Sequence, residues 1–170
     1  MCLGHNFREI MKHRVFIALG SNLGDRKANL HNAVASLPPK VHCIMESSIY
    51  QTPPWGIADQ PDFLNQVVEA ETDLSPAKLI LYLKDIESKL GRKPTVRYGP
   101  RLIDLDILFF DDLVLNQPDL AIPHPRMHER AFVLVPLAEL APSLWHPVSG
   151  LRISELLNNV DIEGVDIYLD

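Results

Sequence analysis

The run FLNQVVEAETDLSPAKLILYLKDIESKLG, Phe63 to Gly91, changes its periodicity part-way. Over Phe63 to Thr72 the residues alternate, with Leu64, Val68 and Ala70 tending to one face and Asn65 and Glu69 to the other, which is the period-two signature of a strand. At Ser75-Pro76 the pattern changes. Serine suits an N-cap and proline the first helical position, and Leu79, Leu83, Ile86 and Leu90 then mark one helical face as far as Gly91. A strand thus feeds directly into a helix.

Upstream, Val41 to Tyr50 has strand composition, and a loop from Thr52 to Asp62 separates it from the central run. Three prolines stiffen that loop, yet it carries Trp55 with no regular structure to pack it. Further upstream, Val15 to Leu19 is an apolar strand ending in the turn formers Gly20-Ser21-Asn22. Leu30, Ala33, Val34 and Leu37 then follow helical spacing until Pro38-Pro39. Downstream, the basic stretch Arg92 to Arg101 leads into the apolar run Leu102 to Phe110. Strand, helix, two strands, helix, strand is the order of an α+β ferredoxin-like βαββαβ plait, with helices on one face of a largely antiparallel sheet. Short helices are expected over Pro123 to Arg130, Val135 to Leu140 and Ile153 to Val160, with a last strand over Val165 to Leu169.

A chain of 170 residues suits one domain. The expected division is an N-terminal extension over 1–13, frayed or preceding a true start at Met11, and a single domain over 14–170. With 46% hydrophobic and 22% charged residues, and no stretch near the roughly 18 apolar residues of a membrane helix, no membrane span is expected. The net charge of -6 argues against a general nucleic-acid binder, which presents a basic stripe to phosphates. Cys2 and Cys43 make neither a disulfide framework nor a zinc pattern. A reducing cytoplasm fits this composition. A monomer is expected, with a dimer as the alternative.

Asp104 and Asp106 interrupt the apolar run, and their spacing puts both carboxylates on one face with Cα atoms about 7 Å apart. At an effective dielectric near 20, like charges roughly 5 Å apart repel by about 3 kcal/mol. A hard cation removes that penalty, and carboxylate oxygens suit Mg²⁺. The alternative is a strand end whose acids reach solvent or pair with Arg97 or Arg101. Arg92, Lys93, Arg97 and Arg101 precede or open this strand and His124, Arg126 and Arg130 follow it. They form either a polyphosphate cradle or a solvated charged surface. His124 and His128 lie four apart but lack a third zinc ligand. Trp55, Phe63 and Tyr98 are loop or loop-edge aromatics that could hold a flat heterocycle or pack locally.

Five blocks together carry a resemblance. They are Ala18-Leu-Gly-Ser-Asn-Leu-Gly24, Thr52-Pro-Pro-Trp-Gly56, Gln60-Pro-Asp-Phe-Leu-Asn65, Tyr98-Gly-Pro-Arg-Leu-Ile-Asp-Leu-Asp-Ile-Leu108 and Ile122-Pro-His-Pro-Arg-Met-His-Glu-Arg-Ala-Phe132. In order and in content they resemble the 6-hydroxymethyl-7,8-dihydropterin pyrophosphokinases, from about Val15 to Leu140. The resemblance implies the plait fold and transfer of the terminal diphosphate of ATP to the pterin hydroxymethyl group in folate biosynthesis, releasing AMP. It implies two Mg²⁺ ions held by Asp104 and Asp106, with Arg92 and Arg101 as further catalytic residues. Thr52, Pro54, Trp55, Phe63, Asn65 and Phe132 would bind the pterin. Glu87, Arg92, Tyr98, Arg101, His124 and Arg130 would bind ATP. Trp55 stands where members carry leucine, Tyr98 where they carry tryptophan, and the loop from Lys93 to Val96 is a residue short. Two other readings keep the fold: a non-catalytic nucleotide-binding regulatory module, and a metal-dependent phosphohydrolase.

Overall fold

Strand β1 (His13–Ser21) is buried on both faces along most of its length, which places it inside the sheet rather than at an edge. In the computed structural model, which describes residues 11–170, β1 pairs antiparallel with β4 (Phe63–Thr72) on one side and β5 (Asp104–Phe110) on the other. Between β1 and β4 run helix α1 (Arg26–Ala35), β2 (Val41–Glu46) and β3 (Tyr50–Thr52); α2 (Pro76–Lys89) joins β4 to β5. Strands β2 and β3 share the outer side of β4. The order β3-β4-β1-β5 is that of the expected α+β plait. Most of the predicted 1–13 extension lies outside the described residues, and β1 already begins at His13.

The predicted strand Val41 to Tyr50 is two strands. Ser47 interrupts it, because its hydroxyl accepts the Val67 N–H that a continuous ladder would use. The helix starts follow the sequence signals. Asp25 Oδ1 accepts from Ala28 N at 3.0 Å, and Ser75 caps α2 with Pro76 at its first turn.

Leu64, Val68 and Ala70 pack with Leu30, Leu79 and Leu83 in a core beneath α1 and α2. The sequence predicts helices on one face alone, but the structure has them on both. Helices α3 (Ala131–Leu140) and α4 (Ile153–Leu157) cover the other face, packing on Phe16, Val67, Leu108 and Phe109. Val67 and Phe16 are as buried as the first core, so the strands are apolar on both sides. The pairing of β1 with β5 slips between Phe16 and Ile17, leaving Leu108 as an extra residue. This bulge lets Leu108 and Phe109 both enter the second core.

Hairpins β6 (Leu115–Gln117) with β7 (Leu120–Ile122), and β8 (Trp145–His146) with β9 (Leu151–Arg152), were not foreseen. The predicted helix over Pro123 to Arg130 is a single 3₁₀ turn, Met127–Glu129. β10 (Asp166–Ile167) pairs with β3 and covers the edge of the sheet.

Candidate active site

Helix α3 covers only part of its face of the sheet. Beside it the register places Asn65, Gly20 and Asp104 in one row across β4, β1 and β5, with Val67, Ala18 and Asp106 in a second row. Adjacent strands are about 4.8 Å apart, so Asn65 and Asp104 stand roughly 10 Å apart at the level of the backbone. Between them Gly20 has no side chain and Ala18 only a methyl. A Cβ on Gly20 would come within 3.1 Å of Asn65 Oδ1. The floor of a cleft is thus open because of two small residues in β1. The cleft encloses about 750 Å³, open solvent included, within the range of small-molecule sites.

One end is aromatic and amide-lined. Phe63 and Phe132 line it from β4 and α3, Trp55 and Tyr98 from the two flanking loops. Asn65 Nδ2 donates to Thr52 Oγ1 at 2.7 Å, and both side chains are buried. Pro53 rather than Pro54 lines the wall.

The other end is charged. Asp104 accepts from Arg92 Nη1 and Arg101 Nη1, each at 2.7 Å. Burial opposes its charge, but the two guanidiniums prevail and hold its carboxyl below the usual range. Arg101 is the partner foreseen in the ion-pair alternative; Arg97 instead lies over the Tyr98 ring at 4.9 Å. Asp106 has no protein donor among the described residues within hydrogen-bond distance of its carboxylate. Burial first, then the neighbouring Asp104, push it up to about 6. A shielded carboxylate without a donor, beside a second carboxylate, suits a hard divalent cation, and the all-oxygen donor pair fits Mg²⁺.

His124, Arg130, Asp104 and Asp106 all line the cleft. Burial, then Arg130, push the His124 imidazole down to about 4, so it is neutral at pH 7. Its Nδ1 accepts from Arg126 N at 3.3 Å, an assignment that leaves Nε2 as the donor. Arg130 Nε is buried without a partner among the described residues. Here the fold leaves a hydrogen-bond donor waiting beside the acids.

Arg92, Arg101 and Glu87 stand behind the lining. Arg92 and Arg101 reach the cleft through Asp104. Glu87, only 3% exposed, accepts from Leu105 N at 2.7 Å, from Lys84 Nζ at 3.0 Å and from Arg92. Three donors engage its oxygens, and its carboxylate faces the α2–β5 seam rather than the cleft. Lys84, which the sequence reading passed over, completes this cluster; its position on the face of α2 nearest β5 was the available signal. Among the described residues, no helix is long and apolar enough to cross a membrane.

An antiparallel plait whose cleft joins an aromatic, amide-lined end to an acid pair ringed by cations fits a flat heterocycle at one end and a polyphosphate with its metal ions at the other. The sequence profile of the 7,8-dihydro-6-hydroxymethylpterin-pyrophosphokinase (HPPK) family matches residues 16–142, and the chain belongs to that family. A Bacillus subtilis relative, 2-amino-4-hydroxy-6-hydroxymethyldihydropteridine pyrophosphokinase, is 49% identical over 160 residues, covering 93% of this chain and 92% of its own. The protein of that name from Methylorubrum extorquens is 42% identical over 155 residues, covering 90% and 97%. In the fold, the chain is similar to wild-type Plasmodium falciparum HPPK-DHPS, with a TM-score of 0.71 at 16% identity, over 88% of this chain and 45% of that one.

Proposed function

We propose that this chain transfers the terminal diphosphate of ATP to the hydroxymethyl group of 6-hydroxymethyl-7,8-dihydropterin, releasing AMP. The observation that carries the reading is the row Asn65–Gly20–Asp104, which sets a heterocycle-sized floor between an amide end and an acid end. Thr52 and Asn65 hydrogen-bond the pterin edge. Phe63 and Phe132 flank its faces, and Trp55 and the Pro53-Pro54 backbone close the wall. This orients the hydroxymethyl group toward the acids, so that the reaction gains from positioning.

Arg92, Arg101, His124 and Arg130 take the phosphates, the arginines through paired N–H donors and the neutral His124 through Nε2–H. Arg92 and Arg101 already converge on Asp104, so an arriving polyphosphate finds them in place rather than scattered in solvent. Glu87 holds Arg92 by its ion pair, and Tyr98 covers the nucleotide side. Asp104 and Asp106 would hold Mg²⁺, two ions in the full complex. Bound there, magnesium would supply charge neutralisation to the polyphosphate and acidify the hydroxyl. Asp106 or a water accepts the hydroxyl proton. The loops bearing Trp55 and Tyr98 exclude water that would otherwise take the diphosphate. A single-domain monomer in a reducing cytoplasm completes the reading.

The test is incubation with Mg²⁺, ATP and the pterin. The expected result is one AMP formed per pterin consumed, lost in Asp104→Ala and Asp106→Ala proteins that keep the wild-type circular dichroism. ATP binding without AMP would favour the regulatory module. Pterin-independent ATP breakdown at the coupled rate would favour the hydrolase.

A further inference from the structure

Two loops cover the cleft, residues 53–62 and 92–101, and they meet in a specific way. Gly56 has φ +93°, and a Cβ there would lie 3.1 Å from Tyr98 Cβ; only glycine admits so close an approach in that conformation. Gln60 Nε2 donates to Tyr98 O at 2.8 Å. The Trp55 and Tyr98 rings pack edge to face, 5.2 Å apart at 84°.

Arg126 belongs to neither loop, yet it touches the rings of both. Its guanidinium lies 4.5 Å from the centre of the Trp55 ring and 5.9 Å from that of Tyr98, and Nη1 donates to the Tyr98 hydroxyl. Its own segment is anchored to the sheet, since His124 N donates to Leu108 O at 3.0 Å. Its ion pair with Glu129, at 3.2 Å between side chains 37% and 49% exposed, is of the kind that contributes little. The ring contacts are where this side chain has its effect.

Building on the pyrophosphokinase reading, we propose that Arg126 is a positioning residue: a cationic clip that fastens Trp55 and Tyr98, and with them both covering loops, to the rigid sheet over the pterin end of the cleft. Its target is the pterin complex. Arg126 does not line the cleft as Arg130 does, so its effect on the nucleotide is indirect, through Tyr98, and smaller than its effect on the pterin.

The test uses Arg126→Met, which keeps the stem and removes the cation, and Arg126→Lys, which keeps a cation. A Trp145→Phe background leaves Trp55 as the single tryptophan reporter. Arg126→Met is expected to raise the pterin KM roughly tenfold, to leave the affinity for a fluorescent ATP analogue within about twofold, and to raise acrylamide quenching of Trp55 in the substrate-free protein. Arg126→Lys is expected to recover most of both changes. Unchanged Trp55 quenching and pterin KM in a folded Arg126→Met protein would overturn the clip. An ATP affinity that falls as far as pterin affinity would overturn it too, because Arg126 would then be a phosphate ligand. If the wild type forms no AMP, the pyrophosphokinase reading fails by itself; substrate-free quenching still decides whether Arg126 holds Trp55.

Discussion

At Asp106 a carboxyl is pushed up from 3.8 to about 6 by burial and Asp104, while at His124 an imidazole is pushed down from 6.5 to about 4 by burial and Arg130. The signs differ. Folded Asp106 binds its proton more tightly than the unfolded chain does, so its contribution to stability is full below about pH 3.8 and is lost as pH rises through about 6. Folded His124 binds its proton less tightly; its contribution is full above about pH 6.5 and is lost as pH falls through about 4. In the metal-free protein the two offset each other across the same window. Asp106→Asn is therefore expected to raise metal-free stability at pH 8, by roughly 3 kcal/mol at most, and to change it little at pH 3.5. His124→Asn should remove a loss of stability on acidification. Urea titrations in chelator across pH 3.5–8 measure both, and slopes parallel to wild type would contradict these environments.

At the scale of elements, Glu87 ties α2 to β5 by accepting the Leu105 N–H and ties Arg92 to both. Glu87→Ala leaves the buried Leu105 N–H without its acceptor and the half-buried Arg92 with Asp104 alone. It should cost about 1–3 kcal/mol and raise the KM for ATP, by chemical denaturation and steady-state kinetics. A KM change with no stability change would instead put Glu87 in contact with the nucleotide. The sequence was legible where local chemistry decides: Ser75-Pro76 starts α2 where expected, and the alternation of Leu64, Val68 and Ala70 does mark the first core. It was silent where the decision is tertiary. The Leu108 bulge, the break at Ser47 and the packing of α3 on the second face depend on partners tens of residues away. The acid pair and the aromatics could be listed as candidates. That Asp104 is ion-paired while Asp106 has no donor, and that Arg126 lies against two loop rings, depends on side-chain geometry that spacing does not encode.

Across the whole molecule, one face of the sheet supports stability and the other shares its area with the cleft. Leu83, fully buried beneath α2, lies in the first core, and the cleft opens on the opposite side of the sheet. Leu83→Ala is expected to lower stability by about 2–5 kcal/mol while leaving both substrate KM values near wild type at a temperature where the variant stays folded. A KM rise matching the loss of stability would show the two faces to be coupled. The cleft is lined from β1, β3, β4, β5 and α3 as well as from three loop segments, 53–62, 92–101 and 123–130, so it exists only once the plait has closed.

The proposed transfer requires Asp104 and Asp106 to meet a polyphosphate through divalent cations. A crystal structure of the protein with Mg²⁺, a non-hydrolysable ATP analogue and 6-hydroxymethylpterin tests this directly. The predicted result is both carboxylates at about 2.1 Å from magnesium, Arg101 moved from Asp104 onto the phosphates, and the pterin on the Gly20 floor against Asn65. Carboxylates turned away from the phosphates, with Asp104 still bridging Arg92 and Arg101, would contradict it.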